Sequence, residues 1–165
     1  MPVVVALRCP DLKESHWKEI IDLLQTDFDV ENEDFTLQSL IDMNAVQFME
    51  EIQLIATQAS QEANLRAQIS KMDDQWKRID LVVNKYQNKD AFVLDEVDDL
   101  FQYLDDSLAQ IGTILGSRYV KPLRNEAETW KKHLFTLNQI IEEWINCQKQ
   151  WIYLENIFLA PDIRR

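Results

Sequence analysis

The sequence predicts a mainly α fold, an elongated bundle of long helices with one short β-hairpin at about residues 79–94. Three observations lead to this prediction. Apolar residues between positions 123 and 158 recur in steps of three and four, the period of a helix with one apolar seam. The 165 residues include only two glycines, which leaves little room for tight turns. One region, shortly after residue 77, is rich in β-branched residues.

The C-terminal seam, here called the tryptophan ladder, sets the length of the last helix. Its members are Leu123, Ala127, Trp130, Leu134, Leu137, Ile141, Trp144, Trp151 and Phe158. About 36 residues of helix span roughly 54 Å at the helical rise per residue. Tryptophans on such a seam are more often core than a ligand platform, so we expect the three of the ladder to be packed inside.

Short elements are predicted for the N-terminal part of the chain. Residues 2–7 are expected to be extended or loop-like, and Pro10 ends any regular element. A helix to about Leu24 follows, with an apolar stripe made of Leu12, His16 or Trp17, Ile20, Ile21 and Leu24. An exposed acidic connection at 26–35 and a short helix at 37–43 are expected next.

A long helix is predicted from about Ala45 to Trp76. Its early seam consists of Met49, Ile52, Ile55 and Ala59, and its later seam of Leu65, Ile69, Met72, Trp76 and Ile79. The phase slips between the two seams, which indicates a bend or a break near Gln61 and Glu62.

The hairpin is predicted from two apolar runs, 78–83 and 91–94. They are joined by a polar stretch, 86–90, whose residue types are typical of turns. Asp95 and Asp98 then open a helix whose C-cap is expected at Gly116. Pro122 suits the first turn of the last helix, where a missing N–H costs nothing. The whole chain, 1–165, is predicted to be a single helical module.

Composition narrows the possible partners. The formal net charge is −12, from 29 acidic and 17 basic residues. Binding to nucleic acid or to an anionic membrane needs clustered Lys and Arg, so neither is expected. No apolar run reaches the length of a transmembrane helix, and Cys9 and Cys147 show no metal-binding or disulfide spacing. We expect a soluble intracellular chain with free thiols.

No catalytic, cofactor-binding or metal-binding residue is expected in this chain. The two histidines, His16 and His133, lack the Glu-x-x-His pattern of di-metal bundles. Cys147 is expected to be a buried structural thiol. The acidic cluster is interpreted as a solvated face near a helix N-terminus; it comprises Asp95, Glu96, Asp98, Asp99, Asp105 and Asp106.

The order of motifs resembles the N-terminal part of the linker region of dynein heavy chains, over nearly the whole chain. The segment 148–158 is the most specific match, and 115–122 resembles the short signature before the last helix. The other matching positions are 7–13 with His16 and Trp17, 35–37 with Leu40, 50–52, Ala59, Glu62, Leu65, Trp76, Trp130, Leu134, Asp162 and Ile163. Many relatives carry a glycine in the hairpin turn, where this chain has residues 88–90.

The resemblance implies a part of an ATP-driven microtubule motor. In that family the linker is a helical arm that lies across a ring of AAA+ modules and produces the power stroke. ATP and magnesium, microtubules and other dynein subunits would be bound elsewhere in the parent chain. The ending at 157–163 looks axonemal, which implies a cytoskeletal location in a cilium or flagellum. Stiffness would come from the tryptophan ladder, and bending from junctions such as Gly116–Ser117.

Two other hypotheses about function are compatible with a helical bundle. A spectrin-like adaptor that binds partner helices would share the long helices but would lack the hairpin. An enzyme on a helical bundle would need metal or nucleotide motifs, and this sequence has none.

Overall fold

The computed structural model describes residues 2–25, 41–87 and 89–158. The helices are α1 (Pro2–Leu7), α2 (Glu14–Leu24), α3 (Met49–Trp76), α4 (Val97–Gly116) and α5 (Arg124–Phe158), with a 3₁₀ turn at Lys121–Leu123. Strands β1 (Val83–Lys85) and β2 (Phe92–Leu94) form an antiparallel hairpin in which Val83 faces Leu94. The predicted mainly α fold with one short hairpin is confirmed.

The chain divides into two compact units. The first comprises Met1–Gln68 with Arg118–Pro122, and the second Ile69–Ser117 with Leu123–Arg165. Helix α3 contributes residues to both. The predicted connection at 26–35 lies outside the described residues, and of the predicted helix at 37–43 only 41–43 are described.

The first unit has its own apolar core, and this core explains why residues 2–7 are helical. The prediction of an extended segment was wrong. Val3 and Ala6, one helical turn apart, are buried against Ile20, Leu24 and Ile52. Burial of this face outweighs the weak helix propensity of the valine run.

Helix α3 runs without interruption through residues 61 and 62, so the predicted break there was wrong, while the alternative of a bend stays a prediction. The apparent phase slip has a chemical cause. Glu62 occupies the seam position and is buried, 7% exposed, between the buried residues Ala59 and Ile69. The seam therefore continues through a carboxylate, which a search for apolar residues cannot see.

The hairpin and its neighbouring helix ends differ in detail from the prediction. Strand β1 starts later than predicted, at Val83, and turns follow the end of α3, where the Ile79 N–H donates to the Trp76 carbonyl. Helix α4 starts at Val97, and its N-cap residue, Glu96, has a left-handed backbone, φ 52°. Gly116 is the last helical residue and not a left-handed cap; the C-cap is the extended Ser117.

Candidate functional site

The second unit is built on the packing of α4 against α5. The buried face of α4 repeats in steps of four and three: Leu100, Leu104, Ser107, Ile111 and Ile114. The buried residues of the tryptophan ladder are Leu123, in the 3₁₀ turn before α5, and Ala127, Leu134 and Ile141 on α5. The end of α3 joins this pair, because the Trp76 Nε1–H donates a 2.9 Å hydrogen bond to Ser107 Oγ.

Beyond Ile141 the ladder is no longer a buried core. Trp144, Trp151 and Phe158 are 45%, 41% and 63% exposed, so the expectation that these tryptophans are packed inside was wrong for the second half of α5. Trp130, in the first half of α5, is half-buried. The apolar partner of the ladder thus ends about halfway along the helix.

After Trp144 the apolar residues of the ladder are seven positions apart, and polar residues fill the positions between them. Gln148 and Glu155 fall at the positions between Trp144 and Trp151 and between Trp151 and Phe158. These two residues and Trp151, which we call the hairpin clamp, hold the β-hairpin. Their spacing of three and four places them on one face of α5.

Gln148 binds the end of strand β2 through both ends of its amide. Its Oε1 accepts a hydrogen bond from the Leu94 N–H at 2.7 Å, and its Nε2 donates to the Leu94 carbonyl at 3.0 Å. A side chain therefore supplies the pairing that a neighbouring strand would otherwise give to this backbone. Leu94 itself is buried, 5% exposed, so these backbone groups have limited access to water.

The turn end of the hairpin is held by the other two members of the clamp. The rings of Tyr86 and Trp151 meet edge to face with 5.4 Å between centroids. The Lys89 Nζ lies 2.7 Å from Glu155 Oε1 and 5.3 Å from the centroid of the Tyr86 ring. The hairpin is therefore fastened to α5 at both of its ends.

The hairpin depends on this support. Each strand has three residues, and all three residues of β1 are exposed. An isolated two-stranded hairpin is marginally stable at best. Asn84 adds a cross-link, since its Nδ2 donates a 2.7 Å hydrogen bond to Asp95 Oδ2. This bond, together with the Glu96 N–H on Oδ1, holds the pKa of the Asp95 carboxyl below its usual value.

The first unit contains a buried polar pair between α2 and α3. His16 Nε2 lies 3.2 Å from Glu62 Oε2, and both side chains are buried. The Lys13 N–H donates to His16 Nδ1 at 3.1 Å, so Nδ1 carries no proton and Nε2–H must be the donor to Glu62. Gln58 Nε2 donates to the other carboxylate oxygen at 2.9 Å.

The residues singled out for chemistry do not form a site in the part of the chain that the structure describes. His133 and the six acidic cluster residues are exposed. Cys147 is exposed on α5, so the expectation of a buried thiol was wrong. In 2–25, 41–87 and 89–158 no three His, Cys, Asp or Glu side chains converge to hold a metal ion, and none of the helices there is long and apolar enough to cross a membrane.

The structural roles of Gln148, Glu155 and Glu62 were not predicted from the sequence, although all three lie in the positions that carry the family resemblance. Gln148, Glu155 and Glu62 are polar, and a search for apolar periodicity passes over them. One signal was available. Each of these three residues occupies a seam position that an apolar residue would be expected to fill.

Comparison with known proteins places this architecture in a family. A model described as "Dynein heavy chain, N-terminal region 2" matches residues 1–165. Human dynein axonemal heavy chain 6 is 41% identical over 100% of this chain, and human dynein axonemal heavy chain 2 is 33% identical over 100%. The flagellar outer-arm dynein gamma chain of Chlamydomonas reinhardtii is 28% identical over 99%. The chain spans about 4% of the length of each of these relatives. On the extent of the family match, the chain belongs to the dynein heavy chain family.

Proposed function

We propose that this chain is a segment of the linker, the lever arm of an ATP-driven microtubule motor, and that the motor works in a ciliary or flagellar axoneme. Membership in the dynein heavy chain family supports the motor role. The relatives named axonemal or flagellar support the location. In this role the segment transmits changes in a nucleotide-dependent ring to the rest of the motor.

The observation that carries this proposal is the support of one face of α5 by two partners in turn, first α4 and then the hairpin. The 35 residues of α5 span roughly 52 Å at the helical rise per residue. The first half of the ladder packs on α4, and the hairpin clamp supports the same face further on. A long helix supported at both of these places resists bending more than an isolated helix does, which is what a lever needs. The hinge at Gly116–Ser117 stays a prediction.

The chain itself is proposed to be non-catalytic. Both glycines lie inside α4, so neither can form a loop that cradles phosphate. These residues do not fit a site for ATP and magnesium, and we assign nucleotide binding to other parts of the heavy chain. The proposed partners are the AAA+ ring of the same heavy chain and, through the parent motor, microtubules and other dynein subunits.

A spectrin-like adaptor is the weaker alternative. Spectrin-type repeats consist of helices alone, whereas the second unit contains a hairpin that α5 holds with specific side-chain contacts. The clamp is thus the feature that separates the two functions.

The proposal is tested in a full-length heavy chain that carries Gln148→Leu. The change removes both hydrogen bonds to Leu94 but leaves the α4–α5 core in place. We expect slower microtubule gliding with ATP turnover largely retained, because a softer arm transmits less of each cycle. Gln150→Leu, at an exposed position on the same helix, is the matched control. Unchanged gliding, or equal loss of gliding and ATP turnover, would contradict a lever role.

A further inference from the structure

A small groove lies between the segment leading into β1 and the first turns of α4. Its volume is about 100 Å³. Pockets for cofactors and drug-sized ligands are larger, about 300–1,000 Å³. The space therefore suits one long side chain and points to a macromolecular partner.

The groove has an apolar floor and partly exposed apolar walls. Leu94 and Leu100 form the floor and are 5% and 7% exposed. Leu81, Val82 and Tyr103 line it as well, and each of these three is at least 37% exposed. An aromatic ring and two aliphatic side chains are thus available to pack against the stem of an incoming side chain.

Negative charge surrounds this apolar surface. The charged lining residues are Asp80, Asp95, Glu96 and Asp99, and no lysine or arginine lines the groove. Asp95 already accepts two hydrogen bonds, and its lowered pKa keeps it ionised. Asp80, Glu96 and Asp99 form no ion pair with any residue in the described ranges. The groove is therefore complementary to a cation that carries an apolar stem.

We propose that this groove binds an arginine side chain from a basic protein segment. Arginine combines a stem that packs on Leu81 and Val82 with a planar guanidinium that stacks on an aromatic ring such as Tyr103. The guanidinium also pairs with carboxylates in two-point geometry, which a lysine ammonium does not. The proposal assigns a role to the acidic cluster and does not depend on the lever function.

The test titrates the isotope-labelled 165-residue chain with a peptide in which two arginines are separated by glycine and serine, followed by amide NMR. We expect shifts confined to residues around Leu81 and Leu100. The variant Asp80→Asn with Asp99→Asn removes two charges from the rim. Its apparent Kd should rise about threefold to fivefold, from the loss of partly exposed ion pairs.

Matched controls separate a site from general attraction to an acidic protein. The variant Asp105→Asn with Asp106→Asn removes the same charge from α4 outside the groove and should bind as the parent does. A peptide with citrulline in place of arginine should produce no shifts, and a lysine peptide should bind more weakly. Equal weakening by both double variants, shifts spread over the acidic surface, or equal binding of the citrulline or lysine peptide would overturn the proposal.

Discussion

At the scale of single residues, the pair of His16 and Glu62 shows how one hydrogen bond fixes the role of the next. The Lys13 N–H donates to Nδ1, so the imidazole presents Nε2–H to one oxygen of the Glu62 carboxylate, and Gln58 donates to the other oxygen. Buried polar groups of this kind stabilise a fold only when every member is satisfied. The pair therefore specifies how α2 and α3 meet more than it adds to stability.

Glu62→Ala should be clearly destabilising, because it leaves the buried His16 Nε2–H without an acceptor. The expected loss is about 1–3 kcal/mol in the free energy of unfolding, the cost of an unsatisfied buried donor. Urea unfolding of the chain measures it. Gln61→Ala, at the exposed neighbouring position, should stay within about 0.5 kcal/mol. Equal effects of the two changes would mean that the pair is not a buried network.

Asp95 provides a pH-dependent test of the cross-link inside the hairpin. The Asn84 hydrogen bond, followed by the Glu96 N–H, lowers the pKa of the Asp95 carboxyl in the folded chain. Its contribution to stability is therefore present above the unfolded pKa of about 3.9 and is lost as the pH falls through the lower folded value. Asn84→Ala should raise the carboxyl pKa toward the unfolded value in a carbon NMR titration. A pKa unchanged by this substitution would show that the bond to Asn84 does not form.

At the scale of elements, the tryptophan ladder shows what periodicity can and cannot establish. The steps of three and four fix the helix, its length and the face it uses, and all of these are present in α5. Periodicity does not say which element covers that face. Ala127 and Leu134 are buried in the unit where α5 packs on α4, whereas Trp151 meets a tyrosine of the hairpin, and the difference depends on contacts between residues far apart in sequence.

The hairpin clamp makes a prediction at this scale. In the isolated chain, Gln148→Leu should speed hydrogen exchange of hairpin amides that donate across the strands, such as Tyr86 N–H and Asp95 N–H. Exchange in the interior of α4, for example at Ile111, should not change, because the clamp does not contact it. Gln150→Leu serves as the control on the same helix. Uniform acceleration throughout the second unit would show that Gln148 supports the core and not the hairpin alone.

Helix α4 contains a glycine, Gly112, whose replacement should stabilise the chain. Gly112 lies in the helix interior, is exposed, and has open space where a Cβ would be placed. Glycine costs about 1 kcal/mol relative to alanine at such a position. Gly112→Ala should therefore raise the free energy of unfolding by up to about 1 kcal/mol in urea denaturation. A loss of stability would show that the glycine is needed for a close approach that the structure does not contain.

At the scale of the whole chain, composition and periodicity predicted the fold class because they report which surfaces must be buried. The scarcity of glycine indicated long helices, and the β-branched run near residue 80 indicated the hairpin. Neither could reveal the helix at Pro2–Leu7, which forms because its face packs on Ile20 and Ile52. The contacts of the clamp and of the buried pair were also not predicted. The sequence shows polar residues at seam positions, but only the fold brings them to their partners.

The net charge of −12 makes a prediction about the chain as a whole. The 29 acidic residues outnumber the 17 basic ones, and the excess negative charges repel each other more in the compact state than in the unfolded one. Exposed pairs such as Lys18 with Glu14 are too weak to offset this. Raising the ionic strength from about 0.01 M to about 0.15 M shortens the screening length from about 30 Å to about 8 Å. We therefore expect the thermal midpoint to rise with salt, by about 2–4 °C for each kcal/mol of repulsion removed.

The substitution Glu143→Lys checks that net repulsion is the cause of this salt effect. Glu143 is exposed on α5, and its replacement by lysine changes the net charge by two, from −12 to −10. The variant should melt higher than the parent at low salt, and its midpoint should depend less on salt, because less repulsion remains to be screened. Circular dichroism melts of both chains across the salt series measure this difference. If salt instead lowered the midpoint of the parent chain, specific ion pairs such as Lys89 with Glu155 would dominate its electrostatics, and the role assigned to net charge would be wrong.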